Sequence, residues 1–202
     1  MHQVEKAKTN LKTVFLAFGS NIFDDLLKST ELVKVSYRLL FSAGVRIVKK
    51  SKFYQTPAFP AGKGPDYINT VVCAVTDLTA DELLKVLHRV EKDCGRERNA
   101  RWGARSLDID LLDYAGQVSP DRAGFEHWRD LSLQDQQLYW PDQLILPHPR
   151  ICDRAFVMIP LQEVAPEWVH PVTDQTVSQL LARLPVSDCA DVRFFDGAIV
   201  RG

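Results

Sequence analysis

Between Gly95 and Tyr114 the chain reads GRERNARWGARSLDIDLLDY. Four arginines, Arg96, Arg98, Arg101 and Arg105, fall within ten residues, and two aspartates, Asp108 and Asp110, follow at alternate positions. Leu107, Ile109 and Leu111 interleave with the aspartates, the pattern of a strand with one dry face and one charged face. Strand residues two apart share a face at roughly 6.6 Å along the chain, so the two carboxylates repel unless a cation lies between them. Magnesium suits such a pair, being a hard ion held by one or two carboxylates together with substrate phosphates. The plain alternative is a solvated strand face on which Asp113 is a further charge, and the aspartates alone leave both readings open. A guanidinium is a planar fork that matches phosphate oxygens and stays charged at any working pH. Four of them beside a candidate metal pair assemble the parts for polyphosphate chemistry: the metal bridges phosphate oxygens, and the arginines neutralise charge that develops in the transition state. A basic loop that only pairs with Glu91, Asp93 and Glu97 accounts for the arginines and leaves the neighbouring aspartates unexplained.

Trp102 interrupts the arginine run, and a flat apolar side chain there either anchors the loop or stacks on a heterocycle. Tyr67 and Asn69 begin a valine-rich strand opposite the segment TPAF. They offer an aromatic face and an amide whose donor and acceptor can read a ring edge. Each is also an ordinary strand residue, so only convergence would make a pocket of them. His148 stands between two prolines in LPHPR, with Arg150 and Arg154 close behind. Such a stiff turn either caps a carbonyl or presents an imidazole to an anion, and the arginines favour the anion. His2, His88, His127 and His170 show no ligand spacing. The chain has no Gly-x-x-x-x-Gly-Lys-Ser/Thr segment and no kinase signature. Ser20 in FGSN reads as a turn residue rather than a nucleophile. Direct transfer, with a substrate oxygen attacking and no covalent intermediate, is the chemistry that fits.

These residues need a frame to position them. Thr13–Phe18 reads as a buried strand closed by the turn residues Gly19, Ser20 and Asn21. A helix follows from about Asp24 or Asp25: Ile22, Leu26, Val33, Tyr37 and Leu40 share one helical face, and Gly44 is a natural stop. Val45–Tyr54 reads as a second strand, and TPAFPAGKGPDY, with three prolines and two glycines, as a loop. Asn69–Thr76 is the third strand. Thr79 with Glu82 forms a capping box for a helix whose stripe is Leu83, Leu87, Val90 and Cys94 and which stops at Gly95. Ser106–Tyr114 is the fourth strand. The order β-α-β-β-α-β predicts an α+β, ferredoxin-like fold, one antiparallel sheet with two helices on one face. Beyond it, residues 115–143, which carry Trp128 and Trp140, predict an ordered excursion. Arg154–Glu163 predicts a helix despite Pro160, residues 176–184 a short helix, and RFFDGAIV a hairpin turning at Asp196 and Gly197.

The 202 residues suit one domain, residues 13–202, after a polar tail of residues 1–12. Apolar content of 46% and charged content of 25% exclude the disordered and fibrous classes. A net charge of −1 gives no global footprint for nucleic acid or membrane, so anion binding must come from local clusters. Cys73, Cys94, Cys152 and Cys189 are widely spaced, which argues against a zinc site or disulfide framework and for a reducing, cytoplasmic setting. Apolar runs such as VFLAF fall far short of the roughly 20 residues that span a bilayer. The start MHQVEKAKTN lacks the apolar stretch of an export signal.

With these residues in view, the chain resembles the 6-hydroxymethyl-7,8-dihydropterin pyrophosphokinase family of the folate pathway. The stretches that carry the resemblance are FGSN, SKFYQTPAF, PDYINTVV, ELLKVLHRVEKDCGRERNARWGARSLDIDLL and ILPHPRICDRAFVMIPLQEVAP, spread over most of residues 13–171. The run R-W-x-x-R-x-x-D-x-D and the segment P-H-P-R followed by R-A-F are its most specific parts. The resemblance implies attack of the pterin hydroxymethyl oxygen on the β-phosphorus of ATP, giving the pterin diphosphate and AMP. It implies that Asp108 and Asp110 hold two magnesium ions, and that Arg96 and Arg105 serve the phosphates. Arg101, His148 and Arg154 would be further ATP contacts, with Glu91, His88, Arg98, Ile109 and Trp102 near the nucleotide. The pterin would stack between Phe156 and Trp102 and be read by Asn69 and Thr56, with Pro57, Phe59 and Tyr67 closing the pocket. Pro57–Asp66 and Arg96–Arg105 would be lids that exclude water. Small-molecule pterin and ATP are the implied partners, with no nucleic acid or membrane, and the chain a monomer or weak homodimer. A nucleotidyltransferase, which would release pyrophosphate, and a non-catalytic ferredoxin-like binding module are the rival readings.

Overall fold

A computed structural model of the chain describes residues 10–22, 25–58, 64–95 and 106–197. The first strand, β1 (Lys12–Ser20), lies inside an antiparallel sheet. Its side chains are buried on both faces: Val14, Leu16 and Phe18 join one core cluster, Phe15 and Ala17 another. That double burial is why VFLAF is a continuous apolar run rather than an alternating one. α1 (Leu26–Ser42) starts at Asp25, whose carboxylate accepts the Lys28 N–H, and it stops before Gly44 at φ 87°. β2 (Arg46–Lys50), β3 (Phe53–Thr56) and β4 (Tyr67–Thr76) follow. α2 (Ala80–Asp93) begins with the expected Thr79–Glu82 capping box and buries Leu83, Leu87 and Val90. β5 (Asp108–Tyr114) completes the β-α-β-β-α-β core.

The sheet order is β5-β1-β4-β3-β6, where β6 is Arg193–Phe195, with β2 also paired to β4, and every pairing is antiparallel. The single strand expected over Val45–Tyr54 is two. Ser51 interrupts it: its N–H donates to the Val71 carbonyl and its hydroxyl accepts the Val71 N–H at 3.0 Å, so a side chain takes over part of the ladder. Counting β2 and β3 as one strand restores the ferredoxin-like arrangement. β6 (Arg193–Phe195) corrects another expectation. It pairs with the edge of β3, Phe53 opposite Phe195, rather than with a hairpin partner among the described residues, and residues 198–202 lie outside them. An unpaired strand edge is costly to leave open, and a segment with two phenylalanines covers it.

Helices α1 and α2 cover the face of Val14, Leu16 and Phe18. The opposite face is closed by α5 (Ala155–Val164) and α6 (Val177–Leu181), through Val157, Met158, Leu161 and Leu180 against Phe15, Val71 and Leu112. Pro160 is accommodated within α5 and is buried. At the break between β2 and β3, Glu163 of α5 accepts the Lys52 N–H at 2.8 Å and the Tyr54 hydroxyl at 2.5 Å. Burial, reinforced by that carboxylate, pushes the Tyr54 hydroxyl up to about 12. Glu163→Ala is therefore expected to cost about 2 kcal/mol in urea unfolding, the scale of hydrogen bonds to a charged acceptor. An unchanged midpoint would show that the contact contributes nothing.

The excursion over residues 115–143 is ordered, with α3 (Arg122–Arg129) and α4 (Leu133–Leu138). Phe125 packs with Ile145 and Val172, and its ring lies 5.5 Å from that of His170. α7 (Val186–Ala190) leads to β6. His170 is fully buried, accepts the Val172 N–H at Nδ1, and is pushed down to about 4 by that burial. Between 6.5 and about 4 an unfolded chain binds a proton that the folded one refuses, so stability present above that window is lost as pH falls through it. The loss at this site is on the order of 3 kcal/mol. Urea midpoints at pH 7 and pH 5 should converge more closely in His170→Phe than in the wild type; identical pH slopes would show that His170 titrates normally. All four cysteines are free. Among the described residues no helix is long and apolar enough to cross a membrane.

Candidate active site

The register of β1 assembles the site floor. Gly19 lies opposite Asn69 of β4 on one side and Asp108 of β5 on the other; two residues back, Ala17 lies between Val71 and Asp110. Paired residues point to one face, so Asn69, Gly19 and Asp108 form a row roughly 10 Å wide, two strand spacings. The central strand contributes no side chain at Gly19 and only a methyl at Ala17. A β-carbon at Gly19 would lie 3.5 Å from Asn69 Oδ1 and 3.9 Å from Tyr67 Cδ1, filling the space between the strands' polar side chains.

Asp108 and Asp110 face away from Ile109 and Leu111, which belong to the core under α1 and α2. A bulge then re-phases β5: Leu16 pairs with Leu111 and Phe15 with Asp113, leaving Leu112 as the extra residue. Asp113 thereby lies opposite Phe15 and is buried, unlike the solvated face of the plain alternative; it accepts the Gly116 N–H, and burial pushes its carboxyl up. It shares a side of the sheet with the aspartate pair but not their environment, since Asp108 and Asp110 are only half-buried.

Two of the residues expected as ATP contacts, His148 and Arg154, lie at Asp110. Arg154 Nη1 donates to Asp110 Oδ2 at 3.1 Å, and His148 Nε2 lies 4.0 Å from the same oxygen. His148 is tied to β5 by its N–H, which donates to the Leu112 carbonyl, and its Nδ1 accepts the Arg150 N–H at 3.0 Å. A neutral ring so held carries its proton on Nε2, the atom that faces Asp110. Burial pushes His148 down to about 4 despite the pull of Asp110. Arg150 does not join the cluster: its guanidinium donates to the carbonyls of Trp128 and Arg129 in α3. The Arg154 guanidinium also lies 5.8 Å from the Phe156 ring centroid.

On the β3–β4 side, Asn69 Nδ2 donates to Thr56 Oγ1 at 2.8 Å, and Tyr67 lies opposite Thr56 in the register. Asn69 and Thr56 are buried, while Pro57 and Phe156 are exposed. Glu91 is buried and accepts the Ile109 N–H at 2.8 Å, so α2 is tied to the backbone between the two aspartates. The Ile109 side chain lies in the core on the helix side, and His88 is exposed on α2. Phe59, Arg96, Arg98, Arg101, Trp102 and Arg105 lie outside the described residues. Sequence reasoning missed two residues here. Ser20, read as a turn residue, is fully buried and donates to the Ser106 carbonyl at 2.5 Å, where β5 is approached. Gly19, read as a strand stop, is the centre of the floor; only the register distinguishes it from an ordinary turn glycine.

Among the described residues no three His, Cys, Asp or Glu side chains converge as a metal cage. Two carboxylates on one face, with a guanidinium already on one of them, instead suit a hard cation completed by substrate oxygens. The ferredoxin-like fold by itself hosts many functions; what this floor adds is a carboxylate pair beside groups suited to phosphate oxygens. Residues 15–166 match the family described as 7,8-dihydro-6-hydroxymethylpterin-pyrophosphokinase (HPPK). The chain is 36% identical over 174 residues to the 2-amino-4-hydroxy-6-hydroxymethyldihydropteridine pyrophosphokinase of Methylorubrum extorquens, covering 86% of this chain and 94% of that one. It is 30% identical to the protein of the same name from Haemophilus influenzae, covering 84% and 91%. A crystal structure of Plasmodium falciparum HPPK-DHPS shares the fold with a TM-score of 0.62 at 13% identity; the match covers 88% of this chain and 45% of that longer one. The chain belongs to the HPPK family, the pyrophosphokinases of folate biosynthesis.

Proposed function

We propose that the chain transfers the terminal diphosphoryl group of ATP to the hydroxymethyl oxygen of 6-hydroxymethyl-7,8-dihydropterin. The new bond joins that oxygen to the β-phosphorus, the bond from the β-phosphorus to the α–β bridging oxygen breaks, and AMP leaves. The single observation that carries this reading is the row Asn69–Gly19–Asp108, which sets a ring-reading amide and a metal-type carboxylate across one open floor. Asn69 and Thr56 read the pterin edge, Tyr67 and Pro57 border it, and Phe156 stacks on the ring, with Phe59 and Trp102 completing the pocket.

Asp108 and Asp110 hold two magnesium ions. Magnesium, when bound, supplies charge neutralisation across the triphosphate. Arg154 and His148 stand at Asp110 with donors that suit phosphate oxygens, and neutral His148 adds a hydrogen bond without adding charge. Arg96, Arg98, Arg101 and Arg105 take further oxygens, Arg96 and Arg105 serving the transferred group, while Glu91, Ile109 and His88 border the nucleotide. With water excluded, the pterin oxygen is the nucleophile available to the β-phosphorus. Four free cysteines suit a reducing, cytoplasmic setting, and the partners are small molecules, with no nucleic acid, the chain acting as a monomer or weak homodimer.

The test is AMP release from magnesium ATP with and without the pterin, with phosphorus transfer to the pterin followed in parallel. Pterin-dependent AMP with a diphosphorylated pterin is expected. Release of pyrophosphate instead would favour the nucleotidyltransferase reading, and nucleotide binding without turnover the binding module.

A further inference from the structure

Arg150 stands in the same turn as His148 and Arg154 yet points away from Asp110. Its side chain is only 13% exposed. Nη1 donates to the Arg129 carbonyl at 2.8 Å and Nη2 to the Trp128 carbonyl at 3.0 Å. Those carbonyls belong to the last turn of α3, where a helix leaves acceptors without intrahelical donors and where a cation is favoured. Asp153, 3.6 Å away, balances the charge. α3 is in turn seated by Phe125, which is 1% exposed and packs with Ile145 and Val172. The backbone N–H of Arg150 donates to His148 Nδ1. One residue thus grips the excursion with its side chain and sets the imidazole tautomer with its backbone.

We infer that Arg150 is a positioning residue for the transfer reaction and that α3 of the excursion is the fixed point it grips, holding the 148–154 turn so that His148 Nε2 and the Arg154 guanidinium meet the nucleotide phosphates. The excursion then acts on the site from behind. This rests on the reading that His148 and Arg154 contact ATP. A planar fork reaching two carbonyls is something lysine cannot reproduce, since it offers a point charge. Displacing an orienting group by a fraction of an ångström is enough to cost roughly tenfold or more in turnover.

The experiment compares Arg150→Gln, Arg150→Lys, His148→Ala and Arg154→Ala in the full chain by steady-state kinetics, alongside thermal melting and the nitrogen-15 spectrum of His148. Arg150→Gln is expected to weaken kcat/KM for magnesium ATP roughly tenfold, to leave pterin binding within about twofold, and to replace the single Nε2–H pattern of His148 by a tautomer mixture. Arg150→Lys should recover part of the loss. A folded Arg150→Gln protein with unchanged ATP kinetics, or one that loses ATP and pterin affinity equally with His148 unaltered, overturns the inference. So does a wild-type spectrum at neutral pH with the His148 proton on Nδ1, which needs no variant to fold. If His148→Ala and Arg154→Ala leave ATP kinetics intact, the reading beneath the inference fails and takes it along; if they impair ATP and Arg150→Gln does not, only the inference fails.

Discussion

Asp110→Ala is expected to lower pterin-dependent AMP release about a thousandfold, the scale of removing one group that stabilises developing charge, while the protein melts close to the wild type. The two halves of that expectation have separate causes. Asp110 and its partner Arg154 are each about one-third exposed, 31% and 35%. An ion pair so open to water contributes little to folding, and removing Asp110 also relieves its repulsion with Asp108. For the proposed reaction the same carboxylate has no substitute: Asp113, the nearest further aspartate in sequence, is buried and accepts the Gly116 N–H, so it cannot stand in. Asp108→Ala should behave alike, and the double variant should be scarcely worse than either single one, because groups that act as a unit are not additive. Turnover within tenfold of wild type in a folded Asp110→Ala protein would remove the metal assignment.

Arg105→Ala should also cost about a thousandfold in kcat, as loss of an arginine that meets transferring phosphate does. The expectation follows from its neighbours. Arg105 precedes Ser106, whose carbonyl is held by buried Ser20, and fully buried Leu107 comes next. Arg105 stands three residues before Asp108 in the chain. On the proposed reading Arg105 serves the phosphates beside that aspartate, whereas Arg98 and Arg101 lie farther from it in the sequence. Arg105→Lys should restore only part of the rate, because a point charge does not replace the planar fork. Loss of melting temperature in proportion to loss of rate would show that Arg105 is there for folding and not for transfer.

Where sequence signals were local, they were legible. The Thr79–Glu82 capping box, the apolar stripe of α2 and the stop at Gly44 each depend on residues within a turn or two of one another, and the strand-helix order followed from them. Signals that required a partner far along the chain were not. Ser51 looks like any strand serine until Val71 is beside it. RFFDGAIV carries hairpin turn residues, but the edge of β3, about 140 positions away, is what Phe194 and its neighbours pair with.

For the site, the sequence by itself determined the kinds of groups present: carboxylates two apart on a strand, a dense run of guanidiniums, an imidazole in a proline-stiffened turn. Those are fixed by residue type and by the two-residue strand period, which holds whatever the strand packs against. Tertiary structure alone decided which groups meet. It set Gly19 between Asn69 and Asp108, brought Arg154 to Asp110 and aimed Arg150 at α3 instead. It also moved Asp113, through a one-residue bulge, from the Ile109 and Leu111 side that alternation predicts to the side of Phe15. The physical reason is that register and bulges are selected by the burial of both sheet faces at once, a condition summed over segments distant in sequence.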